Sequence, residues 1–189
     1  MARMPSELEL KSEDLLLLII DVQEKLAPAM EPGLYGTMLK NLGRLLSARS
    51  VLPFQVLVSE QYPQGLGPTV PALREVLGPV TPLPKTSFSV LGEPALAQAI
   101  EESGKKTILV AGMEAHICVY QSVRALTATH RVHLLSDGIA SRTVENFGIG
   151  KGLAERAGAI LTSTETVLFD LLGGAGTDAF RTVSKLVKS

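Results

Sequence analysis

The sequence predicts an α/β fold, a single domain built on a doubly wound six-stranded parallel sheet. Three observations carry that expectation. Short apolar runs and helical spacings alternate six times along the chain. The strongest apolar runs are continuous, as in strands buried on both faces. No repeat, linker or low-complexity tract divides the 189 residues, a length ample for one core. The domain is taken as residues 1–189, with its core at about residues 14–165.

Residues 1–12 are polar and aperiodic and read as a loose arm. Leu15–Ile20 is wholly apolar, a first strand ending on Asp21. Residues 35–49 carry Met38, Leu42, Leu45 and Leu46 at helical spacing. Residues 54–58 make the second strand, which ends at Ser59-Glu60-Gln61. Gly and Pro mark residues 62–71 as loop, and Pro71–Leu77 reads as a short helix with Thr69 as cap. Residues 80–83 form a third strand that prolines demote to the sheet edge. Pro94–Ser103 is a helix closed by Gly104, and residues 107–111 are a fourth strand stopped by Gly112.

From Cys118 to about residue 129, Val119, Val123 and Leu126 share one helical face. Residues 132–135 give the fifth strand, which runs into Ser136-Asp137-Gly138. Residues 143–157 read as helix despite three glycines, and residues 159–162 as the sixth strand. Thr164–Leu172 is a helix broken at Gly173-Gly174, and residues 178–187 are a last amphipathic helix.

Composition narrows the function classes. With 46% apolar and 20% charged residues and a net charge of −1, no basic field draws nucleic acid or anionic membrane. A near-neutral surface also permits a homo-oligomer, a dimer or larger. The run Leu15–Ile20 is too short to span a bilayer and lacks the flanks of a signal peptide. A single cysteine excludes an intrachain disulfide and fits a reducing, cytoplasmic location.

In an open parallel sheet, ligands bind beyond the carboxyl ends of the strands, where the strand order reverses. That rule singles out Asp21, Glu60, Lys85, the segment after Gly112, and Asp137. Free cysteines are usually small buried hydrophobes, but Cys118 follows a strand, a glycine and a short loop, at the expected first turn of a helix. Unpaired N–H groups there favour thiolate and can receive an oxyanion. Asp21 begins at the rim of a dry core, where desolvation raises its proton affinity and suits it to accept a proton. Lys85, held behind Pro84 and before Thr86-Ser87-Phe88, would fix the carboxylate and stabilise negative charge near sulfur.

His130 and His133 fall at the wrong end of the fifth strand, His116 lies near Cys118, and no metal-ligand spacing occurs. Neither a metal nor another cofactor is expected. The run Gly148-Ile149-Gly150-Lys151-Gly152 lacks the spacing of a phosphate loop. Gln23, Tyr62, Phe88, Met113 and His116 are candidate pocket residues for a small-molecule substrate.

Asp-Val-Gln at 21–23, Lys-Thr-Ser-Phe-Ser at 85–89 and Gly-Met-Glu-Ala-His-Ile-Cys-Val at 112–119 resemble the isochorismatase-like cysteine hydrolases, over roughly residues 14–165. The segment 59–71 is similar to the subgroup of isochorismatase domain-containing proteins. The resemblance implies a six-stranded parallel fold with Cys118 as nucleophile, Asp21 as base and Lys85 orienting the pair. It also implies a cis peptide at Met113–Glu114, and an oxyanion hole from the backbone N–H groups of Glu114 and Cys118. The nicotinamidases of that family carry an Asp-x-His plus His metal site after the second strand, and residues 59–71 contain no histidine.

The leading expectation is hydrolysis of a small amide or related C–N bond through a thioester. One alternative is vinyl-ether hydrolysis, with Asp21 as general acid. Another is a non-catalytic redox-responsive or scaffolding protein on the same fold. A geometric question accompanies all three: the usual strand order puts Lys85 about 10 Å, two strand spacings, from the first strand.

Overall fold

Leu15–Ile20 (β1) has no polar residue because neither of its faces meets water. Leu15, Leu17 and Ile19 enter one apolar cluster, and Leu16, Leu18 and Ile20 the other. The computed structural model describes residues 8–188. After β1 the chain runs through Pro32–Ala48 (α1), Gln55–Gln61 (β2), Pro63–Leu66 (α2), Pro71–Leu77 (α3) and Leu83–Lys85 (β3). It continues through Pro94–Ser103 (α4), Thr107–Met113 (β4), Tyr120–Leu126 (α5), Arg131–Ala140 (β5) and Val144–Arg156 (α6). Ile160–Thr162 (β6), Thr164–Leu172 (α7) and Asp178–Lys188 (α8) complete it.

The six strands form one sheet in the order β3-β2-β1-β4-β5-β6, every neighbouring pair parallel. Met38, Leu42 and Leu45 of α1 cover one face with Leu73 of α3, Leu168 of α7 and Val183 of α8. Leu96 and Ile100 of α4, Val123 and Leu126 of α5 and Ala154 of α6 cover the other. This is the single-domain, doubly wound architecture expected from the sequence. β3 is short and lies at the sheet edge, two to three residues later than residues 80–83.

Three departures have local causes. β2 runs three residues beyond residue 58 because its polar end finds partners: Ser59 on Asp21, Glu60 on Thr69, and Gln61 on Gln23. β5 passes through Ser136-Asp137-Gly138 to Ala140, its register with β4 slipping between the pairs Val110–Leu134 and Gly112–Ile139. The slack seats Asp137, whose carboxylate accepts from Thr164 N at 2.9 Å and Thr164 Oγ1 at 3.0 Å, capping α7. The expected loose arm is anchored where it is described: Leu10 is buried and its N–H donates to Asp170 Oδ2 at 2.7 Å. The rest of that arm, residues 1–7, lies outside the described residues. Among the described residues no helix is long and apolar enough to cross a membrane.

Candidate active site

The strand order reverses about β1, whose neighbours β2 and β4 lead to opposite ends of the sheet. Asp21 closes β1 with φ 54°, a left-handed conformation that Asp enters more readily than most residues. Its N–H donates to Ser59 O at 3.1 Å, so the turn is held to β2. On the other side Gly112 has φ 118°, and a Cβ there would sit 2.0 Å from Ile20 O. Only glycine lets β4 run so close to the end of β1.

Beyond β4 the Met113–Glu114 peptide is cis, and Ala115–Val119 form a π-helical turn. Glu114 O accepts from Ile117 N at 3.0 Å and Val119 N at 3.3 Å, stepping over Cys118. This turn replaces the plain α-helical start expected at Cys118; α5 begins only at Tyr120.

Gly150 of α6 supports the turn from behind. A Cβ at this position would lie 2.4 Å from Ala115 C and 2.5 Å from His116 N, both backbone atoms. One glycine of the glycine-rich stretch, Gly150, therefore serves close helix packing against the Cys118 turn. Gly150→Ala is expected to destabilise the fold by ~1–3 kcal/mol, the usual range for overpacking. Thermal melts of the two proteins check this, and an unchanged melting temperature would refute the close-packing role.

Asp21, Lys85 and Cys118 converge. The side chains of Asp21 and Lys85 are 0% exposed, and Lys85 Nζ lies 2.7 Å from Asp21 Oδ2. Lys85 Nζ also donates to Gln61 Oε1 at 2.5 Å and to the carbonyls of Ser87 and Phe88 at 3.1 Å each. Gln61, in register with Lys85 on the intervening strand, thus bridges the two-strand gap. Ser59 Oγ donates to Asp21 Oδ1 at 2.7 Å. Apart from its ion pair, Asp21 Oδ2 has no directed hydrogen-bond donor among the described residues. Cys118 Sγ stands 4.0 Å from Gln61 Oε1, near enough for both Asp21 and Lys85 to act on the thiol.

The thiol does not titrate as its expected place at a helix start suggests. Burial first, then the Asp21 charge, push it from 9.0 up to about 12, although Lys85 pulls the other way. The resting group is a thiol, and thiolate must be made by proton transfer. Glu114 shows the opposite balance: burial raises its pKa, but hydrogen bonds and charge from Arg142, with the charge of His116, hold it below the usual range. Arg142 donates from Nε to Glu114 Oε2 at 3.0 Å and from Nη2 to Oε1 at 2.6 Å, and its backbone N–H also reaches Oε2.

A cavity of about 150 Å³ opens on the thiol, with Asp21, Gln61, Glu114 and Arg142 as its other polar walls. Leu26, Leu66, Phe88 and Ile117 supply the apolar ones. Of the candidate pocket residues, only Phe88 lines it. Gln23 is buried elsewhere, its amide spanning Gln61 N, Gln61 O and Gly67 O. Tyr62 is 56% exposed at the start of α2, and Met113 is buried in the core. His116 pairs with Ser141 Oγ at 3.1 Å. Glu60 and Asp137, flagged by the strand-end rule, hold loops and caps rather than facing the thiol.

Gln61 and Arg142 escaped the sequence reading. Both do lie at carboxyl ends of strands, the signal that identified Asp21. A larger open groove of about 600 Å³, walled by Ala27, Pro28, Met30, Tyr35 and Val70 among others, contains none of the three converging groups.

Among the described residues no group of three or more His, Cys, Asp and Glu side chains is placed to hold a metal ion. The family described as the isochorismatase domain matches residues 15–166. Isochorismatase domain-containing protein 1 of Salmo salar is 32% identical over 170 residues, covering 89% of this chain and 59% of that protein. The chain thus spans about three fifths of that relative's length. Isochorismatase domain-containing protein 2 of Danio rerio is 32% identical over 180 residues, 94% of this chain and 89% of the relative. The solved structure of MAR1 ribonuclease from Caenorhabditis elegans superposes with a TM-score of 0.86 at 32% identity, covering 96% of this chain and 93% of that one. Sequence and fold agree across most of the length, from the first strand through the sixth, and the chain belongs to the isochorismatase family.

Proposed function

We propose that this chain is a cysteine hydrolase that opens a small amide, or a related acyl C–N bond, through a thioester on Cys118. The observation that carries the proposal is the buried Asp21–Lys85 pair set against the only thiol in the chain. The Cys118 proton passes to Asp21 as sulfur bonds to the substrate carbonyl carbon, and the carbonyl electron pair moves onto oxygen. The N–H groups of Glu114 and Cys118 receive that oxyanion. Collapse re-forms the carbonyl and breaks the C–N bond, Asp21 returns the proton to nitrogen, and ammonia or an amine leaves. Water then adds to the thioester, and the acid departs as sulfur regains its proton. Lys85 offsets the charge on the aspartate before transfer and on sulfur after it.

The raised thiol pKa weighs against the redox-responsive reading, because oxidation proceeds through thiolate. The nematode relative is named a ribonuclease. For this chain a cavity of about 150 Å³ is below the ~300 Å³ at which ordinary ligand pockets begin. Its net charge of −1 supplies no cationic field for a phosphate backbone. Both observations favour a small acyl substrate.

Trapping tests the proposal. Incubation with candidate amides, an acid quench and intact-protein mass measurement should show an added acyl group on the wild type. The Cys118→Ala variant should show none; an adduct that persists in it would end the thioester assignment.

A further inference from the structure

Resting on that reading, we propose that the substrate is a small uncharged amide whose acyl portion is no larger than about six non-hydrogen atoms. The size limit comes from the cavity of about 150 Å³ above the thiol. A protein cavity of about that volume holds one benzene molecule. Leu26, Leu66 and Ile117 give that space walls of packed hydrocarbon, and Phe88, 53% exposed, stands at its rim.

The absence of substrate charge follows from how the wall's own charges are spent. Two carboxylates, Asp21 and Glu114, and one cation, Arg142, line the space, Lys85 is buried behind Asp21, and each carboxylate has its own cation. Asp21 is paired with Lys85, and Lys85 Nζ is surrounded by that carboxylate and three further oxygens. Glu114 is paired with Arg142 through two side-chain contacts and one from the Arg142 backbone. The wall and the lysine behind it are together neutral in sum, and that lysine is fully committed. A substrate carboxylate would lose water and meet only Arg142, a half-exposed cation already paired with Glu114. It would also set a second negative charge beside a sulfur that must become negative, and that sulfur is already hard to ionise. A substrate ammonium would meet no unpaired carboxylate. A neutral acyl group meets hydrocarbon and offers its carbonyl to the thiol.

Steady-state ammonia release by the purified protein tests both limits. Acetamide, propionamide, butyramide and hexanamide form the size series. Oxamide and oxamate, matched in size and differing in charge, form the other comparison. Activity should rise to propionamide or butyramide and fall at least tenfold at hexanamide, the lower end of what a misplaced methylene costs in a hydrophobic pocket. Oxamide should exceed oxamate at least tenfold in kcat/KM.

Equal or better use of hexanamide would overturn the size limit. A preference for oxamate that disappears in Arg142→Gln would overturn the charge argument, by making Arg142 a carboxylate receptor. If no amide of either series is hydrolysed or acylates Cys118, it is the amide hydrolase reading itself that fails.

Discussion

Replacing Lys85 with methionine is expected to destabilise the protein by ~3–5 kcal/mol and to abolish hydrolysis. The lysine ammonium is fully buried, and its stem is among the largest side chains hidden in the fold. Methionine fills much the same volume, so the loss isolates the charge. Without it the Asp21 carboxylate keeps the Ser59 Oγ donor but loses its cation while remaining 0% exposed. Gln61 Oε1 and the carbonyls of Ser87 and Phe88 lose their shared donor as well. An uncompensated buried charge is the expensive outcome. Removing both charges in Asp21→Asn with Lys85→Met should return at least ~1.5 kcal/mol of the loss, within the range of coupling energies for contacting residues. Urea midpoints with unchanged slopes give the three stabilities. A loss below ~1 kcal/mol for the single variant would mean that water or a shifted side chain replaces the ammonium.

That ion pair also shows what the sequence can and cannot reveal. The buried first strand was legible because six apolar residues need two covered faces, and the sheet supplies them. Asp21, Lys85 and Cys118 were legible as residues at strand ends, and their order matched a known family. How Lys85 crosses two strand spacings was not legible. The bridge is Gln61, a neutral residue whose role exists only once β2 and β3 are in register. Arg142 was missed for a similar reason. β5 continues past the polar residues at which periodicity ends it, so the functional end of that strand is displaced from Asp137 to Arg142. The state of Cys118 was misjudged because proximity to a helix start was weighed without burial. Gln23, a candidate pocket residue, instead holds backbone, because its amide is taken up by Gln61 N, Gln61 O and Gly67 O. Propensity and pattern locate elements, but partner choice among polar side chains is decided by tertiary packing.

Asp21→Asn is expected to affect the thiol in two opposite ways, and the opposition makes the test sharp. With its pKa at about 12, about one Cys118 in ten thousand is thiolate at pH 8. Alkylation of the wild-type protein by iodoacetamide should therefore be slow at neutral pH and climb without a plateau until about pH 12. Asparagine keeps the shape of the aspartate and the bond from Ser59, but removes the charge that is the second cause of the raised pKa. Lys85 remains and pulls the thiol downward against burial alone. Each unit of fall multiplies the thiolate, and hence the alkylation rate at pH 8, by about ten. Hydrolysis should move the other way, losing ~10²–10⁴-fold as the proton acceptor disappears. Mass-monitored alkylation and ammonia release on the same two proteins measure both effects. If the variant loses alkylation and hydrolysis together, Asp21 activates the resting thiol instead of receiving its proton during attack. If the wild type alkylates like an ordinary thiol near pH 8.5, the buried, protonated state assigned to Cys118 is wrong.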